Sequence, residues 1–315
     1  MKKIIHIVVL LVAVLTVCKA QIAGDAGAFV RMGFGARGIG MGNALTAVST
    51  GDINTSYNPA LASLSEYRTA AATFSILSFD RYLNFLSYTQ SLKPRAGISA
   101  GLINAGVRKI DGRDSDGEHT EDYSTFENQF FLSFANRVED RVSIGVTIKL
   151  YYSKLFDEVT STTVGFDLGG YVQVTDALSI GVAVQDLNSK YRWDTKSIYG
   201  ENGRPTDNKF PNLRRIGLAY RLPKSVGVIS AEFENSSAGT SVIRFGTEYH
   251  LHANFNVRGG VDRWDFSDDA TGAKPSFGFT VKNPFNSVTP ALNYAFVFEP
   301  FSSQGMHIIT LSAGF

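Results

Sequence analysis

The feature that most constrains this chain is an alternation of apolar and polar residues that persists for ten or more positions at a time. Between Arg141 and Ser153, the residues Val142, Ile144, Val146, Ile148, Leu150 and Tyr152 share one face, and Arg141, Ser143, Gly145, Thr147, Lys149, Tyr151 and Ser153 share the other. A period of two belongs to a β-strand, whose successive side chains point to opposite sides of the sheet. The pattern returns as Val164, Phe166, Leu168, Val172 and Val174 against Gly165, Asp167, Gly169 and Gln173. It appears again as Ile243, Phe245, Thr247 and Tyr249 against Arg244, Gly246, Glu248 and His250. A soluble sandwich also alternates. Runs of this length, with aromatics near their ends, fit strands that cross a bilayer in about 10 tilted residues, apolar outward and polar inward.

Fourteen such segments are predicted: 69–77, 82–92, 96–108, 125–137, 141–154, 160–174, 178–187, 213–221, 226–236, 241–250, 254–264, 274–282, 289–298 and 306–315. An even number is what a single-chain bacterial barrel requires. The connections sort by length from the third strand on. Short turns (138–140, 175–177, 222–225, 251–253) alternate with longer loops, of which 109–124, 188–212 and 265–273 are the longest. Barrels keep short turns on the periplasmic side and longer loops outside, and this phase places both termini in the periplasm. The expectation is an all-β, 14-stranded antiparallel transmembrane β-barrel over 67–315, preceded by a separate segment.

The N-terminus agrees with export. Lys2 and Lys3 precede an apolar run from Ile4 to Val17, and Cys18-Lys19-Ala20 puts small residues at the positions a signal peptidase reads. That is a signal peptide over 1–20, with Gln21 as the first mature residue. A rival reading makes Cys18 a lipidated cysteine, but Val17 is a poor residue before that cut. Loss of Lys2, Lys3 and Lys19 takes Lys+Arg from 30 to 27 against 29 acids, and the net charge from +1 to −2. No basic surplus remains for nucleic acid. Cys18 is the one cysteine, so a processed chain has neither disulfides nor thiolate chemistry. At the other end His307, Ile309, Leu311, Ala313 and Phe315 share a face. A terminal aromatic on an alternating strand resembles the signal read by the barrel assembly machinery, so Phe315 is the candidate assembly residue. The plainer reading is an edge strand that stops there.

Residues 21–66 do not alternate. They carry the glycine-dense run Gly33 to Ala44, then Ser56-Tyr57-Asn58-Pro59-Ala60. Gly33-x-Gly35-x-x-Gly38 formally matches a dinucleotide fingerprint. It lacks the flanking strand, helix and acidic residue that give the fingerprint meaning, so no cofactor is expected. Close packing of backbone inside a crowded lumen is the simpler use of these glycines. The order Gly35-Ala36-Arg37, Gly40-Met41-Gly42, Thr46-Ala47-Val48 and Tyr57-Asn58-Pro59-Ala60 resembles the N-terminal block of PorV/PorQ-type proteins, within the wider superfamily of FadL-like fourteen-stranded barrels. The resemblance implies a plug, or hatch, inside the barrel, with Gly35, Arg37, Gly40, Gly42, Asn58 and Pro59 as its motif residues. For PorV/PorQ members it implies an outer-membrane shuttle in type IX secretion, with secreted cargo domains and secretion components as partners. For FadL-type members it implies passage of hydrophobic molecules. The chain departs from both, with modest outer loops and Leu61-Ala62-Ser63 where many relatives have a glycine soon after the alanine.

The inward faces of the predicted strands carry Lys149, Asp167, Arg215, Glu232, Glu234, Arg244, Glu248, Arg258 and Asp262. Both signs on neighbouring strands read as a paired network filling the lumen, or as a polar permeation path. Arg37 is positioned to pair with one of these acids, without an indication of which. Loop 109–124 has the acidic flavour of a calcium loop, but Asp114, Asp116 and Gly117 meet that spacing only in part. A solvated loop is the reading, and no metal is expected. Tyr191, Trp193 and Tyr199 in 188–212 fit either protein contact or a loop folded over the barrel mouth. His119, His250, His252 and His307 sit beside no nucleophile in a recognisable pairing, so the chain is read as a non-enzyme. Three roles remain: a protein-interaction barrel of PorV/PorQ type, a FadL-like channel, and a structural barrel bound to outer-membrane lipid.

Overall fold

The computed structural model describes residues 24–156, 159–264, 272–300, 302 and 304–315. The signal-peptide reading, residues 21–23 of the expected plug and most of loop 265–273 lie outside them. Fourteen strands form the wall: β1 (Thr69–Ile76), β2 (Arg81–Leu92), β3 (Ala96–Arg113), β4 (His119–Glu139), β5 (Val142–Phe156), β6 (Val159–Gln173), β7 (Leu178–Leu187), β10 (Leu213–Arg221), β11 (Gly227–Ser236), β12 (Ser241–His252), β13 (Phe255–Trp264), β14 (Lys274–Lys282), β15 (Thr289–Val297) and β16 (Met306–Gly314). Neighbours pair antiparallel, and β1 closes the ring on β16. Between β7 and β10 the chain leaves the wall to form a small two-stranded hairpin, β8 (Lys190–Asp194) and β9 (Pro205–Lys209), with a one-turn helix at its tip.

Alternation decides the facing. Phe134, Val146 and Leu168 sit in one cross-strand row and are all exposed, whereas Ser133, Thr147 and Asp167 form the next row and are buried. Ile144, Ile148, Val182, Leu218, Ile229, Phe245, Phe277 and Leu311 continue the exposed apolar belt around the barrel. A belt of this kind has lipid as its solvent. Val146→Arg is therefore expected to destabilise the folded barrel by about 2–4 kcal/mol, measured by equilibrium refolding into lipid vesicles. Thr147 is not a benign partner for that test. It bonds Ser133 at 2.7 Å and is packed beside Thr55 and Ser56 of the N-terminal segment. Gln173→Arg, inward at the open periplasmic mouth, should cost within about 0.5 kcal/mol. Equal losses at 146 and 173 would show that Val146 does not face lipid.

The strands are unequal in height. β1 has 8 residues, while β3 has 18 and β4 has 21, against the roughly 10 needed to cross. The β3–β6 sector therefore stands as a tall wall above the outer rim. This corrects the expectation of a long loop at 109–124: the ladder continues through it and only 114–118 connect β3 to β4. Asp114 ties that turn by accepting from the backbone N–H groups of Asp116 and Glu118 at 3.0 and 2.9 Å, an Asx turn.

The two described ends of the chain lie at opposite mouths of the barrel. Phe315 lies at the periplasmic end, exchanging backbone hydrogen bonds with Arg68 at 2.9 and 3.1 Å. The first described residues instead lie near the outer mouth, with Gly27 against Phe210 just before β10. From there the chain descends the lumen, turns at 49–52 near the periplasmic mouth, and packs along β2–β6 before entering β1.

Candidate functional site

The lumen and the segment that fills it form the candidate site. A short helix, α1 (Gly35–Gly40), starts where the Thr310 hydroxyl accepts the Ala36 N–H at 2.8 Å. The chain then runs so close to the wall that glycine meets glycine. Gly42 has φ +59°, and a Cβ there would lie 2.6 Å from the Val261 backbone nitrogen. Only glycine combines that conformation with that approach. Wall glycines Gly97, Gly145, Gly181, Gly246 and Gly260 likewise leave room for backbone of residues 41–63, and Gly169 leaves room for the side chains of Asn58 and Pro59. Gly40 is a packing residue against Arg258 and Ala295, and Gly35 has φ +65° beside Ile53.

Asn58 and Pro59 form a second anchor. Asn58 Oδ1 accepts the Ala60 N–H at 3.1 Å and caps the turn Pro59–Leu64, with Pro59 at its first position, where a missing N–H costs nothing. The Asn58 amide donates to the Thr46 carbonyl within the segment and to the Gly170 carbonyl of β6, both at 2.9 Å. One side chain so ties the segment to itself and to the wall.

Arg37 is the third anchor, and its partner is Glu248. Its Nε and Nη2 meet the two carboxylate oxygens at 3.0 and 2.9 Å, while Nη1 donates to the Thr50 carbonyl and Asn54 Oδ1 at 2.7 and 2.9 Å. This bidentate fork is the strong geometry for such a pair. Arg258 Nε lies 3.4 Å from Glu248. Further along the same strand, β12, Arg244 joins Glu232, Glu234 and Asp262 at 3.2, 3.1 and 2.6 Å, and Arg215 joins Glu234 at 2.6 Å. The segment reaches this cluster through Asn43 on Asp262 at 3.0 Å and the Thr46 N–H on Glu232 at 3.1 Å. Lys149 bridges Asp167 and Asp186, each at 2.8 Å.

Strict alternation puts Asp186 on the lipid face, and sequence reasoning missed it. A β-bulge between the Phe166 and Leu168 pairings, with Asp186 at φ +62°, turns both Gln185 and Asp186 inward. Bulges break the period of two locally. The only sequence signal was an acid beside Gln185 at the end of an otherwise apolar face.

The inner surface has two halves. The buried charges lie on β5–β7 and β10–β13. On β2–β4 and β16 the inward face near the outer end carries a group of apolar side chains, Leu83, Phe85, Ile103, Phe131, Met306 and Ile308, with the polar Ser75 of β1 and Gln129 of β4 buried beside them. Phe29, Val30 and Phe34 of the N-terminal segment fill that half. Phe34 meets Phe85 at 5.6 Å and Tyr57 edge-on at 5.3 Å, and Phe85 stacks on Phe131 at 6.1 Å. The sequence signal was present in strands apolar on both faces, such as Phe130-Phe131-Leu132 and Leu102-Ile103.

Loop 188–212 divides. Tyr191 is buried and points into the mouth, Trp193 is half-buried beside it, and Tyr199 is exposed at the tip. Tyr191 O–H donates to Glu127. Burial, and then the Glu127 carboxylate, push its pKa well above the ordinary range, so it remains a donor. Below the segment, a chamber of about 790 Å³ opens to the periplasm, lined by Val48, Asp52, Tyr171, Arg221, Lys282 and Asn293 among others. The cavity between the segment and β3–β6 is about 10 Å³, room for roughly one water.

No protein-family model matches the sequence, and no curated protein matches it. Solved structures do. The chain is similar to the Pseudomonas putida toluene transporter TodX, at TM-score 0.61 and 14% identity over 90% of this chain and 97% of that one. It is similar to the CymD monoaromatic hydrocarbon channel, at TM-score 0.59 and 15% identity over 90% and 97%. It also resembles a Pseudomonas aeruginosa FadL homologue, at TM-score 0.57 and 12% identity over 89% and 98%. The likeness is one of fold: a closed fourteen-stranded antiparallel barrel. With its lipid-facing belt, the chain is a multi-pass barrel of the bacterial outer membrane.

Proposed function

We propose that this chain is a non-enzymatic, FadL-like channel for small hydrophobic molecules, closed at rest by residues 24–64 acting as a plug. The observation that carries the reading is the apolar half of the outer lumen. A barrel built to pass water and ions has a polar interior. Here Leu83, Phe85, Ile103, Phe131, Met306 and Ile308 face inward, and their present neighbours Phe29, Val30 and Phe34 come from the N-terminal segment. A hydrophobic solute that replaced those three side chains would keep the apolar surface out of water, so exchange would cost little. The fold shared with channels named for toluene and monoaromatic hydrocarbons supports the same class of solute. Phe315, with its backbone bonded to Arg68, is the proposed contact for the barrel assembly machinery.

The test is uptake of labelled toluene by cells that lack such channels and express the full-length chain. Faster uptake than vector-only cells is expected. A rate equal to theirs, with the folded barrel present in the outer membrane, would remove the channel reading.

A second reading rests on a separate observation. The plug is pinned by Arg37–Glu248, Asn43–Asp262 and Asn58–Gly170, which suits a permanently closed barrel. That favours a PorV/PorQ-type protein that holds exported cargo at the outer face, with Trp193 and Tyr199 as contact residues. Capture of a secreted protein by the membrane-extracted barrel, with loss on deletion of 190–208 and no solute uptake, would support it.

A further inference from the structure

We propose that the β8–β9 hairpin is a latch over the plug, holding its first turn in the lumen so that release is controlled from the outer face. The inference rests on the plug-gated reading for its purpose, but its evidence is separate. An isolated two-stranded hairpin is marginally stable in water, and every residue of β9 is exposed. The hairpin therefore takes its position from what it docks against.

Three aromatic rings form the docking face. Phe210, just after β9, is edge-on to Tyr191 at 4.8 Å and to Tyr151 of β5 at 4.8 Å, with Trp193 packed on Tyr191 at 4.9 Å. Polar contacts fix the register against the tall wall. Tyr191 donates to Glu127, Thr163 donates to the Lys190 carbonyl, and the Arg192 N–H donates to Ser161 Oγ at 2.8 Å. Ser189 Oγ donates to the Tyr151 hydroxyl at 3.2 Å. The β3–β6 sector rises above the rim, and the latch seats on its inner face.

Phe210 then lies directly on Gly27. A Cβ at that position would overlap the Phe210 ring, and Gly27 has φ +72°. Gly27 starts the turn Ala28–Arg31 that carries Phe29 and Val30 into the apolar half of the lumen. That turn cannot rise toward the outer mouth while Phe210 is in place. Lower down, the plug is held independently by Arg37, Asn43 and Asn58. The upper turn carries one buried charge, Arg31, and the hairpin is the element that covers the turn from the outer side.

The test places a reporter cysteine under the latch in the full-length chain with Cys18→Ser. Val30→Cys, buried in the upper plug, and Ala44→Cys, buried in the lower plug, are labelled on intact cells with a membrane-impermeant maleimide. Phe210→Ala should raise the Val30→Cys labelling rate about tenfold or more, because truncating a packed aromatic opens a site strongly. Tyr191→Phe removes one oxygen and should raise it about fivefold. The Ala44→Cys rate should stay unchanged in both. If Phe210→Ala does not assemble, Tyr191→Phe carries the test. An unchanged Val30→Cys rate, or parallel rises at 30 and 44, would overturn the latch. Labelling needs no solute, so the two readings fail separately. Released labelling without toluene uptake removes the channel and keeps the latch. Uptake without a change in labelling does the reverse.

Discussion

Deletion of residues 24–64 is expected to turn a barrel that conducts little into an open, cation-selective pore. The argument rests on charge. Among the described wall residues, six carboxylates are buried in the lumen (Asp167, Asp186, Glu232, Glu234, Glu248, Asp262) against four cations (Lys149, Arg215, Arg244, Arg258). The plug contributes two further buried cations, Arg31 and Arg37, and the signs then balance. An unpaired charge in a low-dielectric site is expensive, so this match explains why the segment seats in one arrangement. Without it the wall keeps two excess negative charges around a wide lumen, and rings of acids favour cations. Planar-bilayer recordings would give the conductance and, in a salt gradient, the reversal potential. A correctly assembled deletion variant that still conducts no better than the full chain would show that residues 24–64 are not what closes the barrel. Selectivity for anions would contradict the charge argument.

Arg37→Met should be the most damaging single substitution in the plug. It keeps much of the side chain's volume and removes a bidentate pair in which both groups are about 95% buried. Breaking one partner of such a pair costs about 3–5 kcal/mol, because the other charge is left uncompensated. Arg258 at 3.4 Å and His250 at 3.7 Å remain near Glu248 and should hold the loss to the lower end of that range. The Thr50 carbonyl loses one of its two side-chain donors in the same step and keeps the Asn54 amide at 2.6 Å. Glu248→Gln on the Arg37→Met background should recover part of the loss, since the orphaned carboxylate is gone. A double-mutant cycle on denaturant unfolding of the vesicle-embedded barrel measures this coupling. Additive losses would mean that Arg37 and Glu248 do not act as a pair.

Much of this protein was legible in the sequence because the strand signal is local. Alternation with a period of two depends on nothing but which side of the sheet meets lipid, and lipid is the same all around the barrel. Strand number, closure, the inward placement of Lys149 and Arg244, and the outer-membrane location follow from it. The glycine-dense stretch 33–44 announced close backbone contact for the same reason, since Gly42 has a use only where no side chain fits.

The rest depends on distance across the lumen. Arg37 could have paired with any of several acids, and the fold selects Glu248, 211 positions away in the chain. Asp186 turns inward only because a bulge at the β6–β7 seam breaks the alternation, and a bulge belongs to two strands together. The tall β3–β6 wall escaped notice because residues 109–124 are polar on both faces once they leave the membrane. Polarity there marks solvent, which surrounds a loop and a protruding strand alike. The two-faced lumen, and the Phe210 ring over Gly27, arise from residues far apart in the chain that meet only after the barrel closes. Local periodicity therefore determined which side of the wall a residue faces wherever the ladder is regular, and the closed tertiary structure decided where it breaks and which residues meet inside.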